Sequence, residues 1–304
     1  MKYSAATVAG LVLTGVLTVP AQAATPPEAA YWRVEVIHTM DHPHPVGSGY
    51  TLTERSVIAE WLTPEGKMWN AFRKLGARPK SEKDRAAWKA DGSPTSWTYR
   101  TEGMKISLSA RPDKGYVGPS KGRRDGFDLG EGRNVTYQQL QSMPTDPAAL
   151  LAYAVKDVRA WIDWAVEDAK TTSPNSKIDD WLVNLDQYVA EYMTRLLYQN
   201  PVPFKVRSAA YRALKTIKGV GDLGTVKDPL NRSGHGFALP TLRQKAQKAQ
   251  KGQKDWKLDE RFVVDTTTMT LLAHYVDSTH RGKSRVDTYK VGWTNDKPAI
   301  PAAG

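Results

Sequence analysis

The sequence predicts an α+β fold in which an antiparallel sheet has one face covered by three central helices. Three observations carry this. Apolar and polar residues alternate through much of residues 24–133, which is the period of half-buried strands. Between residues 144 and 218 the period becomes that of amphipathic helices, and from 219 to 304 it returns to two. Strands, then helices, then strands, without regular alternation, argue against a parallel doubly wound sheet.

The alternation starts in YWRVEVIHT, where Trp32, Val34 and Val36 oppose Arg33 and Glu35, and His38 continues the apolar side. The next stretch, HTMDHPHPVGSGY, carries half of the six histidines, and its Pro43, Pro45, Gly47 and Gly49 predict a loop. A second strand is expected in YTLTERSVIAEWL, a reversal in TPEG and a third strand in KMWNAFRKLG. Residues 73–89 are rich in basic side chains with little periodicity, which predicts an exposed loop or short helix. TSWTYRT and KISLSA read as short strands, followed by a glycine-rich charged segment to residue 133.

The first helix opens with Asp146 as N-cap and Pro147 at the first helical position, and Leu151, Val155, Val158, Ile162 and Ala165 share a face. The second, IDDWLVNLDQYVAEYMTRLLYQN, places Ile178, Leu182, Leu185, Val189, Tyr192 and Leu196 at the same spacing. The third runs from Pro203 to Gly219 with Val206, Ala210, Ala213 and Ile217 inward. GVGDLGTVKDPLNRSGHGFAL then reads as strand, turn and strand, with Asp228-Pro229 and Ser233-Gly234 as turn chemistry. After a lysine-rich insert, ERFVVD, LLAHYVD and RVDTYKVGW give three more strands in meander order.

Residues 1–23 have the layout of a cleaved signal peptide: Lys2, an uncharged apolar run over 5–19, and Ala21-Gln22-Ala23. A retained anchor is the alternative, opposed by Pro20 and Gln22 at the end of the run. The expected product is an exported or cell-envelope protein with a single domain over 24–304, divided into a front meander (24–133), a helical part (144–218) and a rear meander (219–304). The chain has no cysteine, which excludes thiol catalysis, disulfides and lipoprotein-type acylation. A net charge of +11 predicts attraction to an anionic envelope polymer or membrane surface. Export makes nucleic acid an improbable partner.

PTDPAALLAYA, NPVPFKVRSAAYRALKTIKGVGDLGTVKDPLNRSGHGFAL and RFVVDTTTMTLLAHYVD, together with YWRVEVIHT and ERSVIAEWLTPEGKMW, resemble an uncharacterised family of exported or membrane-anchored actinobacterial proteins. These motifs mark helix caps and turns, and the family has no established activity to carry over. Members often have a cytoplasmic segment and one membrane span, whereas this chain begins directly with its signal-like segment. More distantly, the pattern is similar to the half-barrel of periplasmic lipoprotein carriers and of sensors that bind anti-sigma factors. That similarity implies a curved, half-barrel-like sheet plugged by helices.

Candidate sites are few. His38, His42 and His44, with Asp41, offer metal-ligand chemistry, but a solvated loop with one half-buried histidine accounts for them and no metal is expected. No Gly-x-Ser-x-Gly, His-Glu-x-x-His or phosphate-cradling loop occurs, SGHG reads as a hairpin and Asp179-Asp180 as a helix start, so no catalytic residue and no cofactor is assigned. In the insert, Lys245, Lys248, Lys251, Lys254 and Lys257 recur every third residue beside Arg243, a basic stripe for an anionic partner only if the chain is extended. Trp32, Trp61 and Trp69 on strands, with Trp161, Trp164 and Trp181 on helices, are the candidates to line an apolar groove between sheet and helices. The expected function is an exported, non-enzymatic binding module for an apolar ligand or a membrane-anchored regulatory protein. The alternative is a cell-envelope hydrolase with an unrecognised site.

Overall fold

A computed structural model describes residues 27–101, 103–120, 126–130, 133–172, 184–244, 256–279 and 283–303. In chain order the front half holds β1 (Tyr31–Val46), β2 (Tyr50–Leu62), β3 (Met68–Pro79), α1 (Glu82–Ala90), β4 (Ser96–Thr101), β5 (Met104–Ser109), β6 (Tyr116–Pro119), β7 (Phe127–Asp128) and β8 (Asn134–Val135). The helices α2 (Tyr137–Gln141), α3 (Pro147–Thr172), α4 (Leu185–Arg195) and α5 (Phe204–Leu214) follow. The rear half is β9 (Gly221–Lys227), β10 (Ser233–Ala238), β11 (Leu242–Gln244), β12 (Trp256–Asp265), β13 (Thr270–Ser278) and β14 (Lys283–Thr294).

Among the described residues ten strands form one antiparallel sheet, in the order β6-β3-β2-β1-β14-β13-β12-β10-β9 with β11 paired to β12 off that path. The first and last long strands fuse the two meanders: β1 pairs with β14 from Tyr31↔Thr294 to Met40↔Arg285. The edge strands β6 and β9 do not meet, so the sheet stays open and half-barrel-like. The fold is α+β, as the sequence predicts.

Period two on β1 points Trp32, Val34 and Val36 to the face that α3, α4 and α5 cover, where they share a core with Leu150, Val158, Val189, Met193, Val206 and Ala210. Burying each large aliphatic side chain contributes about 1.5–3 kcal/mol, so this shared core is the main reason the helices stay on the sheet. Their starts are set locally. Asp146 Oδ1 accepts from Ala149 N at 2.9 Å before Pro147 begins α3, and Asn184 Oδ1 accepts from Gln187 N at 3.2 Å at the start of α4.

Several expectations are corrected. The histidine stretch is strand: β1 continues to Val46 and only Gly47–Gly49 turn, closed by Gly49 N to Val46 O at 3.0 Å. Pro43 and Pro45 are accommodated because they lie in a register shift between His42 and Val46, past Met40 where the pairing with β14 ends. The third strand runs past the end of KMWNAFRKLG to Pro79, so the stretch expected as exposed loop or short helix starts later, with α1 as its short helix. On α3 the buried residues are Leu150, Ala154, Val158 and Ile162, so Leu151 and Val155 sit beside the buried stripe rather than on it. The start of this helix is apolar nearly all round, so periodicity alone does not choose between the two phases. Ser233-Gly234 belongs to β10, and the reversal spans Asp228 to Arg232 instead. β4 and β5 make a separate two-stranded sheet. Ile178 and Leu182 of the second expected helix lie outside the described residues.

Candidate functional site

A cavity among the described residues lies at the far end of the front meander, beneath α1. Its helix starts on a capping box: Ser81 Oγ accepts from Asp84 N at 3.1 Å and Asp84 Oδ2 accepts from Ser81 N at 3.1 Å. Asp84 Oδ1 also accepts from Thr51 N at 2.8 Å and Thr51 Oγ1 at 3.1 Å, which ties the helix to β2. These bonds, led by the Ser81 hydroxyl, hold the Asp84 carboxyl below its usual range. On the other side, Gly76 in β3 has φ +97°, and a Cβ there would meet Ala110 O at 2.5 Å, so glycine lets the end of β5 approach β3.

Between these walls is a cavity of about 400 Å³, lined by Ala77, Pro79, Trp88, Trp97 and Ala110, with Arg78 and Arg85. Both indole N–H groups are already satisfied, Trp88 Nε1 by Pro94 O at 2.9 Å and Trp97 Nε1 by Tyr50 Oη at 2.9 Å. The two rings therefore have no polar demand left to meet and present hydrocarbon to the cavity. Arg85 pairs with Glu82 at 2.9 Å. Arg78 is exposed and has no ion-pair partner among the described residues.

A second cavity, of about 210 Å³, lies between α4 and the sheet and is lined by Glu191, Thr194, Arg195, Tyr198, Leu239, Glu260, Leu271 and His274. His274 Nε2 lies 2.7 Å from Glu260 Oε2. One strand away, the buried Asp287 meets His38 Nδ1 at 2.6 Å and forms an ion pair with Arg285 Nε at 3.0 Å. Tyr198 packs on Tyr289 with ring centroids 5.0 Å apart, and burial raises both phenol pKa values. A third cavity, of about 40 Å³ beside Trp161, Tyr188 and Tyr192, has room for about one water molecule.

The structure does not gather the five described tryptophans of this set around one groove. Trp32 is in the main core, with Nε1 donating to Tyr198 O at 3.0 Å. Trp61 and Trp69 are cross-strand partners in a small cluster with Tyr31, Ala59 and Ala71, separate from the core under the helices. Trp161 is half-buried, edge-on to Tyr188 at 4.9 Å, and Trp164 is 64% exposed. Trp181 lies outside the described residues, as do Lys245, Lys248, Lys251, Lys254 and Asp179-Asp180. Arg243 is on β11, and Lys257 Nζ pairs with Asp259 at 2.5 Å.

The three clustered histidines diverge. His38 meets Asp287, His42 meets Tyr99 Oη at 2.8 Å and Glu54 at 3.3 Å, and His44 meets Thr101 Oγ1 at 2.7 Å. His42 is buried, so the reading of this stretch as a solvated loop is corrected. Among the described residues no group of three His, Cys, Asp or Glu is placed to hold a metal ion. Trp88, Trp97, Arg78 and Arg85 were missed at the sequence level. The signal that points to them is the Ser-x-x-Asp capping box at Ser81, which turns a basic stretch into a helix with Trp88 on it.

No protein-family model and no curated protein matches the chain. Among solved structures, a beta-barrel-like protein of a domain of unknown function from Brucella abortus is similar over 88% of this chain and 98% of its own, at 8% identity and a TM-score of 0.17. A score that low carries no argument about this protein.

Proposed function

We propose that the protein is an exported binding module that takes an amphipathic anion, an apolar body with an anionic head, in the pocket beneath α1. The observation that carries this is the cavity of about 400 Å³ whose walls are tryptophan, alanine and proline and whose lining includes two guanidinium groups. Small-molecule sites typically measure about 300–1,000 Å³ and are mostly apolar with a few polar groups that orient the ligand. Arg78, which has no ion-pair partner among the described residues, supplies that orientation for a carboxylate or phosphate head. Export is supported by the signal-like residues 1–23, and the net charge of +11 favours the approach of anions.

The test is titration of the full chain with decanoate and decanol, read by tryptophan fluorescence. Decanoate should saturate and bind more tightly than the alcohol; Arg78→Ala should narrow that difference, and Trp88→Ala should weaken both. Equal affinity for the two ligands, or no saturation with either, would contradict the proposal.

A second reading, a cell-envelope hydrolase, is favoured by the His274–Glu260 pair on the wall of the smaller cleft. Thr194, the one hydroxyl-bearing aliphatic side chain lining that cleft, donates to Ala190 O at 2.9 Å, so the pair would have to act on water rather than on a side-chain nucleophile. Turnover of ester or glycoside substrates that is abolished by His274→Ala would support this reading, and no turnover would set it aside.

A further inference from the structure

We propose that the cleft between α4 and strands β12 and β13 is a second binding site, for a neutral, hydroxyl-rich molecule the size of a single sugar ring. Its ionisable side chains already have partners within the protein. His274 pairs with Glu260 at 2.7 Å and Arg195 lies 3.9 Å from Glu191. The cleft therefore asks for no charge from its ligand, and a charged ligand would have to compete with these pairs. Hydrogen-bonding capacity is what remains unmet. Among the described residues the Tyr198 hydroxyl has no hydrogen-bond partner, and Glu260 engages His274 through Oε2, leaving Oε1 open.

One of these groups can donate and the other can only accept. An ammonium ligand would serve Glu260 and leave the Tyr198 proton unused, and a carboxylate ligand would do the reverse while meeting two glutamates. A hydroxyl donates to Glu260 and accepts from Tyr198, and neighbouring hydroxyls on one ring can do both at once. Burial raises the Tyr198 pKa, so the phenol remains a donor at neutral pH. The cavity of about 210 Å³ equals the liquid volume of about seven waters at ~30 Å³ each, which suits a compact polar ring.

The test uses calorimetric titration of the full chain with glucose, galactose and N-acetylglucosamine, with glycine, putrescine and acetate as charged comparators. At least one sugar should saturate. Tyr198→Phe, which keeps the ring packed on Tyr289, should weaken it about five- to tenfold, the loss of one hydrogen bond. Glu260→Gln should weaken it as well, and Trp88→Ala, in the other pocket, should leave it unchanged. Circular dichroism of each variant confirms that it is folded, and if one variant misfolds the other decides. The proposal is overturned by no saturable binding of any of the three sugars, by tighter binding of a charged comparator, or by sugar binding that both cleft variants leave intact.

Discussion

Asp228 has no exposed side-chain surface, and it is held from three directions. Its Oδ1 accepts from Leu230 N at 2.9 Å and Arg232 N at 2.8 Å, while Oδ2 accepts from Arg232 Nε at 2.6 Å. Arg232 in turn donates to Tyr289 O at 3.0 Å and Leu272 O at 2.9 Å, so one ion pair pins the β9–β10 reversal to the middle of the rear meander. Asp228→Ala leaves that guanidinium without its counter-charge and should destabilise the protein by about 3 kcal/mol, measured by urea unfolding. The turn was legible from Asp228-Pro229, but the anchor was not, because the carbonyls it reaches are 40 and 57 residues away. Glu54 makes the same point with a pH dependence. Its hydrogen bond with His42, helped by Lys74 at 3.1 Å, holds its carboxyl below the usual range. A depressed folded pKa contributes stability that is full above the unfolded value of about 4.3 and is lost as the pH falls through the folded value. Glu54→Gln should therefore flatten the acid limb of the stability curve below about pH 4.3 and change its slope little at neutral pH, as read from urea midpoints across pH.

The helices show how far periodicity reaches at the scale of elements. The Asp146-Pro147 start of α3 was legible because a cap is a local interaction, whereas the phase of its buried face was not, because Leu150 and Leu151 are equally apolar and only the sheet beneath distinguishes them. Leu150 is fully buried. Leu150→Ala should cost about 3 kcal/mol by transfer and cavity terms, and Leu151→Ala about 1 kcal/mol, compared by thermal unfolding of the two variants. A larger loss from Leu151→Ala than from Leu150→Ala would return the helix to the phase the sequence suggested. The strand β1 errs in the other direction. Two prolines and two glycines argued locally for a loop after His38, yet pairing with β2 carries the strand on to Val46. The pocket under α1 depends on this extension, since Val46, Tyr50 and Leu52 at the end of the β1–β2 hairpin form the apolar cluster that Trp97 packs into.

For the whole molecule, alternation in the sequence named most of the strands but not their order in the sheet. The pairing of β1 with β14 joins segments some 250 residues apart and makes one sheet of two meanders, and no local signal encodes it. The same limit explains the tryptophans. Residue type marked them as candidate ligand contacts, but the pleat and the register separate Trp32 from Trp61 and Trp69, while the two rings that line the apolar cavity, Trp88 and Trp97, come from an element and a hairpin outside the main sheet. The site proposed for an amphipathic anion is this cavity, beneath α1 and apart from α3, α4 and α5. Its most direct test is the set of indole N–H resonances from the ten tryptophans of the chain, followed by NMR during a decanoate titration. The account predicts saturable shifts at Trp88 and Trp97 with Trp32 and Trp61 unmoved; shifts at Trp32 or Trp161 with none at Trp88 and Trp97, or no saturable shift at all, would contradict it.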